Sequence, residues 1–200
     1  LPLAAAQLAV VFEQQSVVDH AQIAIAANRA LGSDDQFTDL ASKLDYRLRH
    51  ILLDEFQDTS AAQFLMLEKM VRNWREDNEL DPENPKTLFV VGDGMQSIYG
   101  FRDADVSLFV QLRQDGIAGI EPQCLELQTN FRSDRGLVDW VSENFVDVFP
   151  SRDDIQLGAV AFSPSQGFRE ATESQPVSML AFQGDSPDVR WAEAMALADV

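Results

Sequence analysis

Short apolar runs alternate with segments of helical periodicity through the middle of the chain. The runs at residues 50–53 and 87–91 each begin with one polar residue and continue in Leu, Ile, Val and Phe, which is typical of strands buried in a parallel sheet. The segments at residues 60–74 and 105–114 instead repeat apolar positions at helical spacing. Strands that alternate with helices in this way predict an α/β fold with a parallel sheet flanked by helices.

The rest of the chain carries weaker patterns of the same kinds. Ala and Leu without Gly or Pro predict helix over residues 4–31, with a second helix starting at the Ser16–Asp19 pair, which resembles a capping box. The remaining predicted elements are a helix from Thr38 to Leu44, a solvated loop over residues 75–86, a strand over residues 124–127, a helix capped by Ser133 and stopped at Pro150, strands over residues 155–162 and 177–182, and a helix from Asp188 onward.

Charge limits how this chain can hold a nucleic acid. Its 200 residues include 15 Lys and Arg against 33 Asp and Glu, which gives a net charge of −18. A broad basic binding surface is therefore excluded, and any such contact must come from a local groove, from stacking or from other parts of the molecule. The single cysteine, Cys124, excludes an internal disulfide, and together with the lack of any apolar run that could span a bilayer it predicts a cytoplasmic protein with no membrane contact.

Two adjacent acids, Asp54 and Glu55, follow the first apolar run directly. Ligands of open parallel sheets bind beyond the carboxyl ends of the strands, and an acid there can hold the water shell of a Mg²⁺ that bridges nucleotide phosphates. Its neighbour can orient or deprotonate an attacking water. This is the Walker B arrangement, although paired acids at a strand end also occur as helix caps.

A Gly-rich turn and an aromatic pair follow the second apolar run. Gly92 and Gly94 allow a tight turn there, and the amide of Gln96 can contact a phosphate or a water. Further on, Tyr99 and Phe101 stand beside Arg102. Two rings with a cation are suited to single-stranded nucleic acid, which is held by base stacking as well as by charge. An aromatic pair buried in the core is the alternative interpretation.

The third motif is Asn130-Phe131-Arg132-Ser133, predicted as a strand end that runs into a helix. A cation at the start of a helix faces the positive end of its dipole. An anionic partner would remove that conflict, and phosphate is a plausible one because arginine can bridge two of its oxygens.

Together these motifs resemble the UvrD/Rep-type superfamily-one DNA helicases, and the flanks of the first motif resemble RecB/AddA-type members. The matching segments are Asp54-Glu55-Phe56-Gln57-Asp58-Thr59, residues 91–105 and Asn130-Phe131-Arg132-Ser133, within a resemblance that covers about residues 16–165. The sequence departs from the family at Asp103, where many members have Gly, and at Gly94, where many have another residue. An acid at position 103 would weaken DNA binding locally.

The resemblance implies ATP and Mg²⁺ as cofactors and single-stranded DNA as a partner, together with the other subunits of an exonuclease complex. It also implies a role for each matching residue: Asp54 for Mg²⁺, Glu55 for the hydrolytic water and the metal site, Gln96 for the γ-phosphate, Tyr99, Phe101 and Arg102 for the DNA strand, Arg132 as an arginine finger, and Phe131 for stacking near adenine.

The resemblance further implies an incomplete pair of RecA-like P-loop NTPase domains. Residues 1–45 would be a helical segment leading into the first domain, residues 46–120 its C-terminal part, and residues 121–200 the start of the second. No Gly-x-x-x-x-Gly-Lys-Ser/Thr sequence occurs in the chain, so we expect an internal fragment that is inactive by itself. Two alternatives stay open: a truncated relative that acts as a binding or scaffold module, and a metal-dependent nuclease that uses Asp54, Glu55 and Asp58.

Overall fold

The computed structural model describes residues 2–33, 36–171, 177–184 and 186–198. The chain divides into two compact units: a larger unit of residues 1–126 with 149–162, and a smaller unit of residues 127–148 with 163–200. The elements, in chain order, are α1 (Pro2–Gln15), α2 (His20–Ala30), β1 (Gly32–Ser33), β2 (Gln36–Phe37), α3 (Asp39–Arg47), β3 (His50–Leu53), α4 (Ala61–Val71), α5 (Trp74–Leu80), β4 (Thr87–Val90), α6 (Val106–Asp115), β5 (Thr129–Asp134), α7 (Arg135–Phe145), β6 (Gln166–Arg169) and α8 (Pro187–Ala198).

The larger unit is built on the parallel pair of β3 and β4, which confirms the two predicted strands. Their register runs from His50 opposite Thr87 to Leu53 opposite Val90. One face of this pair packs against a buried apolar cluster, and the opposite face carries Leu52, which is 72% exposed. The strands therefore alternate between a covered and an open side, and they deliver their carboxyl ends to the same edge.

The core of the larger unit lies between the sheet and helices α4, α5 and α6. Its buried members are Phe56, Phe64, Leu67, Val71, Trp74, Leu112 and Ile117. Helix α4 is capped by Ser60, whose side chain forms a capping box with Gln63. The cap closes the turn after β3 and places the apolar stripe of α4 against the sheet.

The prediction of a solvated loop over residues 75–86 is wrong for its first half, which is helix α5. The Lys86 ammonium nitrogen lies 2.8 Å from a carboxylate oxygen of Asp45 and 2.7 Å from one of Asp77. Burial opposes the charge of Lys86, but the hydrogen bonds and the negative charges of both partners outweigh it and raise the pKa of Lys86 above its ordinary value. Lys86 thus forms a partly buried network of two ion pairs, one with Asp77 of the same segment and one with Asp45 of α3.

The N-terminal helices follow the predicted caps with one shift. The second helix starts one turn later than Ser16, because Asp19 is its cap and accepts a hydrogen bond from the Gln22 amide. Thr38 caps α3 as predicted. Helix α2 is tied to α4 by the Asn28 side chain, whose amide nitrogen donates to the Ala62 carbonyl at 2.8 Å.

The smaller unit contains the parallel strands β5 and β6 with helices α7 and α8. The predicted strand over residues 124–127 is wrong, because hydrogen bonding to β6 begins only at the Gln128 carbonyl, and Leu127 is 95% exposed. The helix predicted to start at Ser133 begins at Arg135, with Asp134 as its cap, and ends at Phe145.

Of the three elements predicted after Pro150, the two strands are absent from the described residues and the helix is present. The strands expected over residues 155–162 and 177–182 are wrong; the first range is a turn closed by a bridge between Asp154 and Ala159, and the second has no strand. The C-terminal helix is confirmed as α8, and the two residues after it lie outside those described. Among the described residues, no helix has the length and apolar character needed to cross a membrane.

Candidate functional site

The acidic pair stands at the carboxyl end of β3, where the sequence predicted it. Asp54 and Glu55 are both exposed, and the Asp54 carboxylate accepts a hydrogen bond of 2.9 Å from the Glu55 amide. Glu55 adopts the left-handed conformation at φ 52°, which costs a non-glycine residue energy and turns the chain sharply away from the strand. The turn lets the chain re-enter the core at once, because the next residue, Phe56, is buried.

A buried glutamine joins the ends of the two strands. Gln57 is 1% exposed, and its amide nitrogen donates to a carboxylate oxygen of Glu55 at 2.7 Å. Its amide oxygen accepts a hydrogen bond of 3.0 Å from the backbone amide of Asp93. Sequence reasoning assigned Gln57 no role. The available signal was the position of Gln57 two residues after Glu55, within the motif Asp54-Glu55-Phe56-Gln57-Asp58-Thr59.

Gln96 lies on the turn that follows β4 and is exposed. Its amide nitrogen donates to one carboxylate oxygen of Asp93 at 2.7 Å, and the other oxygen accepts the Met95 amide at 3.0 Å. Asp93 therefore fixes the Gln96 side chain on its own turn. This contact engages one of the two N–H groups of the Gln96 amide, which leaves its second N–H as a donor to a phosphate and its amide oxygen as an acceptor from a water.

The two glycines of this turn leave room for close neighbours. A Cβ at Gly92 would lie 2.9 Å from the Gln57 amide oxygen, and one at Gly94 would lie 2.9 Å from a Val160 methyl carbon. Glycine at both positions is thus explained by close approach of side chains, since neither has a positive φ.

Tyr99, Phe101 and Arg102 form one exposed cluster on the turn between β4 and α6, so burial of the aromatic pair in the core is excluded. The two ring centroids lie 5.9 Å apart, and Phe101 is 79% exposed. The Arg102 guanidinium carbon lies 5.3 Å from the Tyr99 centroid and 5.5 Å from that of Phe101. The cluster presents apolar ring area and a positive charge at one place on an acidic chain.

The end of this turn returns to the acidic motif. The Asp105 amide donates to the Thr59 carbonyl at 3.0 Å, and Ala104 forms a β-bridge with Ser60. Asp103 adopts the left-handed conformation at φ 64°. Aspartate is among the few non-glycine residues that tolerate this region of backbone conformation.

Phe131 and Arg132 lie on β5 in the smaller unit. Both are exposed, and the Phe131 ring centroid lies 4.9 Å from that of Phe168. The prediction that Arg132 stands at the start of a helix is wrong, because α7 begins at Arg135. The argument from the helix dipole therefore does not apply to Arg132. Its backbone amide instead donates to the Asn130 side chain at 2.9 Å.

The acidic pair offers hard carboxylate oxygens, which suit Mg²⁺. Within the described part of the chain, no three His, Cys, Asp or Glu side chains are grouped so that they could hold a metal by themselves. Asp54, Glu55 and Asp58 are thus not grouped into one metal site, and the nuclease alternative would in addition need further acids or a Lys on a neighbouring strand. A donor set of one or two carboxylates fits Mg²⁺ when substrate phosphates and water supply the other ligands.

Comparison with known proteins identifies the family. The profile of the UvrD/REP helicase N-terminal domain matches residues 4–116, which is more than half of the chain. The chain belongs to the UvrD/REP helicase family. The family resemblance noted on the motifs is thereby confirmed, and the matched range includes both the acidic pair and the aromatic cluster.

Relatives within the UvrD/REP family carry two kinds of name. The chain is 31% identical over 156 residues to an ATP-dependent helicase/nuclease subunit of Levilactobacillus brevis, which is 76% of this chain and 11% of that protein. It is 33% identical over 139 residues to the protein of the same name from Listeria monocytogenes, covering 67% of the chain and 10% of the relative. The ATP-dependent DNA helicase UvrD1 of Mycobacterium tuberculosis is 33% identical over 133 residues, covering 62% of the chain and 16% of that protein. The chain thus spans between a tenth and a sixth of the length of these relatives.

Proposed function

We propose that this chain is part of the ATP-driven motor of a DNA helicase, of the RecB/AddA exonuclease type, that moves along single-stranded DNA in recombination and repair. The observation that carries the proposal is the shared sheet edge. There the acidic pair after β3 and the Gln96 turn after β4 are joined through the buried side chain of Gln57. The names of the relatives support an ATP-dependent DNA helicase, and the naming of two of them as subunits of a helicase/nuclease supports the presence of partner chains.

The acidic pair would carry the hydrolytic chemistry. Asp54 would hold Mg²⁺ with the nucleotide phosphates, with Glu55 beside it at the metal site, and the ion would neutralise negative charge on those phosphates. Glu55 would orient the attacking water and accept its proton, since its carboxylate is exposed at the strand end.

Three further residues would contact the nucleotide. The Gln96 amide would contact the γ-phosphate, which its exposed position on the β4 turn permits. Arg132 would stabilise charge on the transferring phosphate as an arginine finger, and Phe131 would stack near adenine. Both side chains are exposed on β5, as such contacts require.

Tyr99, Phe101 and Arg102 would hold the DNA strand. Stacking on rings tolerates any base and does not depend on a basic surface, which suits a chain with a net charge of −18. Because this cluster lies three to six residues after Gln96 on one turn, nucleotide contact and strand contact share a short segment of backbone.

For the architecture we propose two RecA-like domains, each present in part. Residues 1–45 would lead into the first domain, residues 46–120 would be its C-terminal part, and residues 121–200 would begin the second. Since the 200 residues contain no Gly-Lys-Ser/Thr phosphate loop, the isolated chain should hydrolyse ATP at no more than background rate.

The experiment replaces Glu55 in the full-length protein that carries this chain. Glu55→Gln keeps the size of the side chain and removes the proton acceptor, so DNA-stimulated ATP turnover should fall about 10²- to 10⁴-fold. Binding of a fluorescent ATP analogue should be retained, because Asp54 and the phosphate contacts are unchanged. Glu68→Gln on α4 makes the same chemical change outside the motifs and serves as the control.

Wild-type turnover by the Glu55→Gln protein would show that this carboxylate does not act on the water. A wild-type protein that binds DNA or a partner but never hydrolyses ATP would instead favour a binding or scaffold role for the chain.

A further inference from the structure

The Gln57 side chain is buried between the two motifs and has both ends of its amide engaged. We infer that Gln57 is a positioning residue that holds the Glu55 carboxylate in its reactive orientation and links it to the turn carrying Gln96. The inference rests on the proposed function, in which Glu55 activates the hydrolytic water. It adds a residue that touches neither nucleotide nor DNA and acts through its neighbours.

The Glu55 carboxylate benefits from such support because the residue is exposed. An exposed glutamate has three rotatable side-chain bonds, and ordering them costs conformational entropy. The 2.7 Å hydrogen bond from the Gln57 amide to the carboxylate selects one arrangement before a nucleotide arrives. A charge-assisted bond from a buried donor is stronger than an exposed neutral one, since water competes less for it.

Gln57 itself is held on three sides. Its amide oxygen accepts the Asp93 amide at 3.0 Å, and its backbone carbonyl accepts the Ser97 hydroxyl at 3.3 Å. The space beside the amide oxygen is filled, because even a Cβ at Gly92 would lie 2.9 Å from that oxygen and 3.1 Å from the Phe109 ring. The backbone of Gly92 therefore lies directly beside the amide oxygen of Gln57.

These contacts form a continuous chain of hydrogen bonds from one motif to the other. It runs from Glu55 through Gln57 to the Asp93 amide, and from the Asp93 carboxylate to the Gln96 side chain. A shift of the Gln96 turn moves the Asp93 amide and with it the amide that orients Glu55. The orientation of the general base thus depends on the position of the turn that also carries Tyr99 and Phe101.

The first test is Gln57→Glu in the full-length protein. The substituted side chain keeps an oxygen for the Asp93 amide but loses the donor to Glu55 and places a second carboxylate beside it. We expect kcat per nucleotide-binding site to fall about 10- to 100-fold, since a small misplacement of a reacting group has an effect of this size. The KM for ATP should change less than about twofold, because Gln57 does not contact the nucleotide. Gln63→Glu, the same substitution in the α4 capping box, should match the wild type.

The second test asks whether Gln57 acts through Glu55. In a Glu55→Gln background, adding Gln57→Glu should cause no further loss of turnover, because the group that it positions has already been removed. A merely structural role would instead produce the same fractional loss in both backgrounds, together with a lower melting temperature. If Gln57→Glu fails to fold, Gly92→Ala decides the matter, since its Cβ displaces the glutamine amide; it should lower kcat and leave the KM for ATP unchanged.

Each failure has a separate meaning. Wild-type kcat in Gln57→Glu, or in Gly92→Ala when that variant must be used, overturns the positioning role if Glu55→Gln in the same assay is inactive, and the proposed function then stands. Full turnover by Glu55→Gln overturns the proposed function itself and the positioning role with it. Equal fractional losses in the two backgrounds also overturn the positioning role.

Discussion

The backbone amide of Phe56 donates a hydrogen bond of 3.0 Å to the Val91 carbonyl, beyond the last register pair of β3 and β4. The chain has by then turned sharply at Glu55, yet it still pairs with the neighbouring segment. The two segments that carry the proposed chemistry therefore leave the sheet side by side. This proximity is a property of the backbone, so substitutions of single side chains at the site should alter chemistry more than they alter the fold.

Removal of either exposed ring should weaken binding of single-stranded DNA. Tyr99→Ala or Phe101→Ala in the full-length protein should each cost about 1–3 kcal/mol, the range of one stacked base. Fluorescence anisotropy with a labelled oligothymidine measures the loss. The salt dependence of the Kd for DNA should stay as in the wild type, because neither ring carries a charge. Tyr46→Ala, at a tyrosine that is 86% exposed on α3, is the matched control; equal affinities of all three variants would contradict the assignment.

Loss of the charge at Asp103 should strengthen DNA binding. Asparagine also tolerates the left-handed conformation seen at φ 64°, so Asp103→Asn removes a negative charge close to the aromatic cluster without a change of backbone. We expect a several-fold lower Kd at low salt, and the difference should shrink as salt screens the charge. Glu83→Gln removes one charge from an exposed loop elsewhere and controls for net charge. A Kd that rises in Asp103→Asn would mean that the acid assists binding.

Two glycines provide a matched test of the backbone. Gly116 ends α6 at φ +75°, and a Cβ there would lie 2.2 Å from the Ile120 carbonyl oxygen, whereas a Cβ at Gly100 would meet nothing within 4 Å. Gly116→Ala should lower the free energy of unfolding by about 1–3 kcal/mol or more, because strain adds to a steric clash. Gly100→Ala should stay within about 0.5 kcal/mol of the wild type. Urea unfolding followed by tryptophan fluorescence measures both, and equal stabilities would contradict the positive φ at Gly116.

The ion pairs of Lys86 should contribute to stability over a wide pH range. Lys86→Met removes the cation and leaves Asp45 and Asp77 beside each other, so we expect a loss of about 1–3 kcal/mol in the free energy of unfolding near neutral pH. Because the pKa of Lys86 is raised in the folded protein, its contribution is fully present below the ordinary lysine value of 10.5 and is lost as pH rises through the raised value.

Lys43→Met, at an exposed lysine of α3, serves as the control in the same urea titrations. The difference in stability between the two variants should shrink at strongly alkaline pH. A difference that stays constant there would show that methionine packing, and not the lost charge, separates the two proteins.

The sequence predicted the parts of the fold that follow from local pattern. The two buried strands, the cap at Thr38 and the positions of the acidic pair and aromatic cluster could be inferred because apolar runs, capping residues and motif spacing are local. The exposed state of Tyr99 and Phe101 could not, since an aromatic pair near a strand is equally compatible with the core.

The features that the sequence did not reveal depend on distant partners. Residues 75–86 have the composition of a charged loop. Only folding brings Asp45, which lies forty-one positions earlier in the chain, next to Lys86. Gln57 acquires a role only when Asp93 is brought to it from the next strand. The strand at residues 129–134 was displaced in the prediction because its register is set by pairing with β6 and not by the apolar run before it.

The open side of the β3–β4 pair has a practical consequence for anyone who prepares this polypeptide. Leu52 and Phe89 are register partners on this face, and their side chains are 72% and 56% exposed. Together they form a small exposed apolar spot on the sheet. At high concentration such a spot favours self-association and precipitation. A threonine in place of Phe89 would keep the strand preference of the position while making that spot more compatible with water.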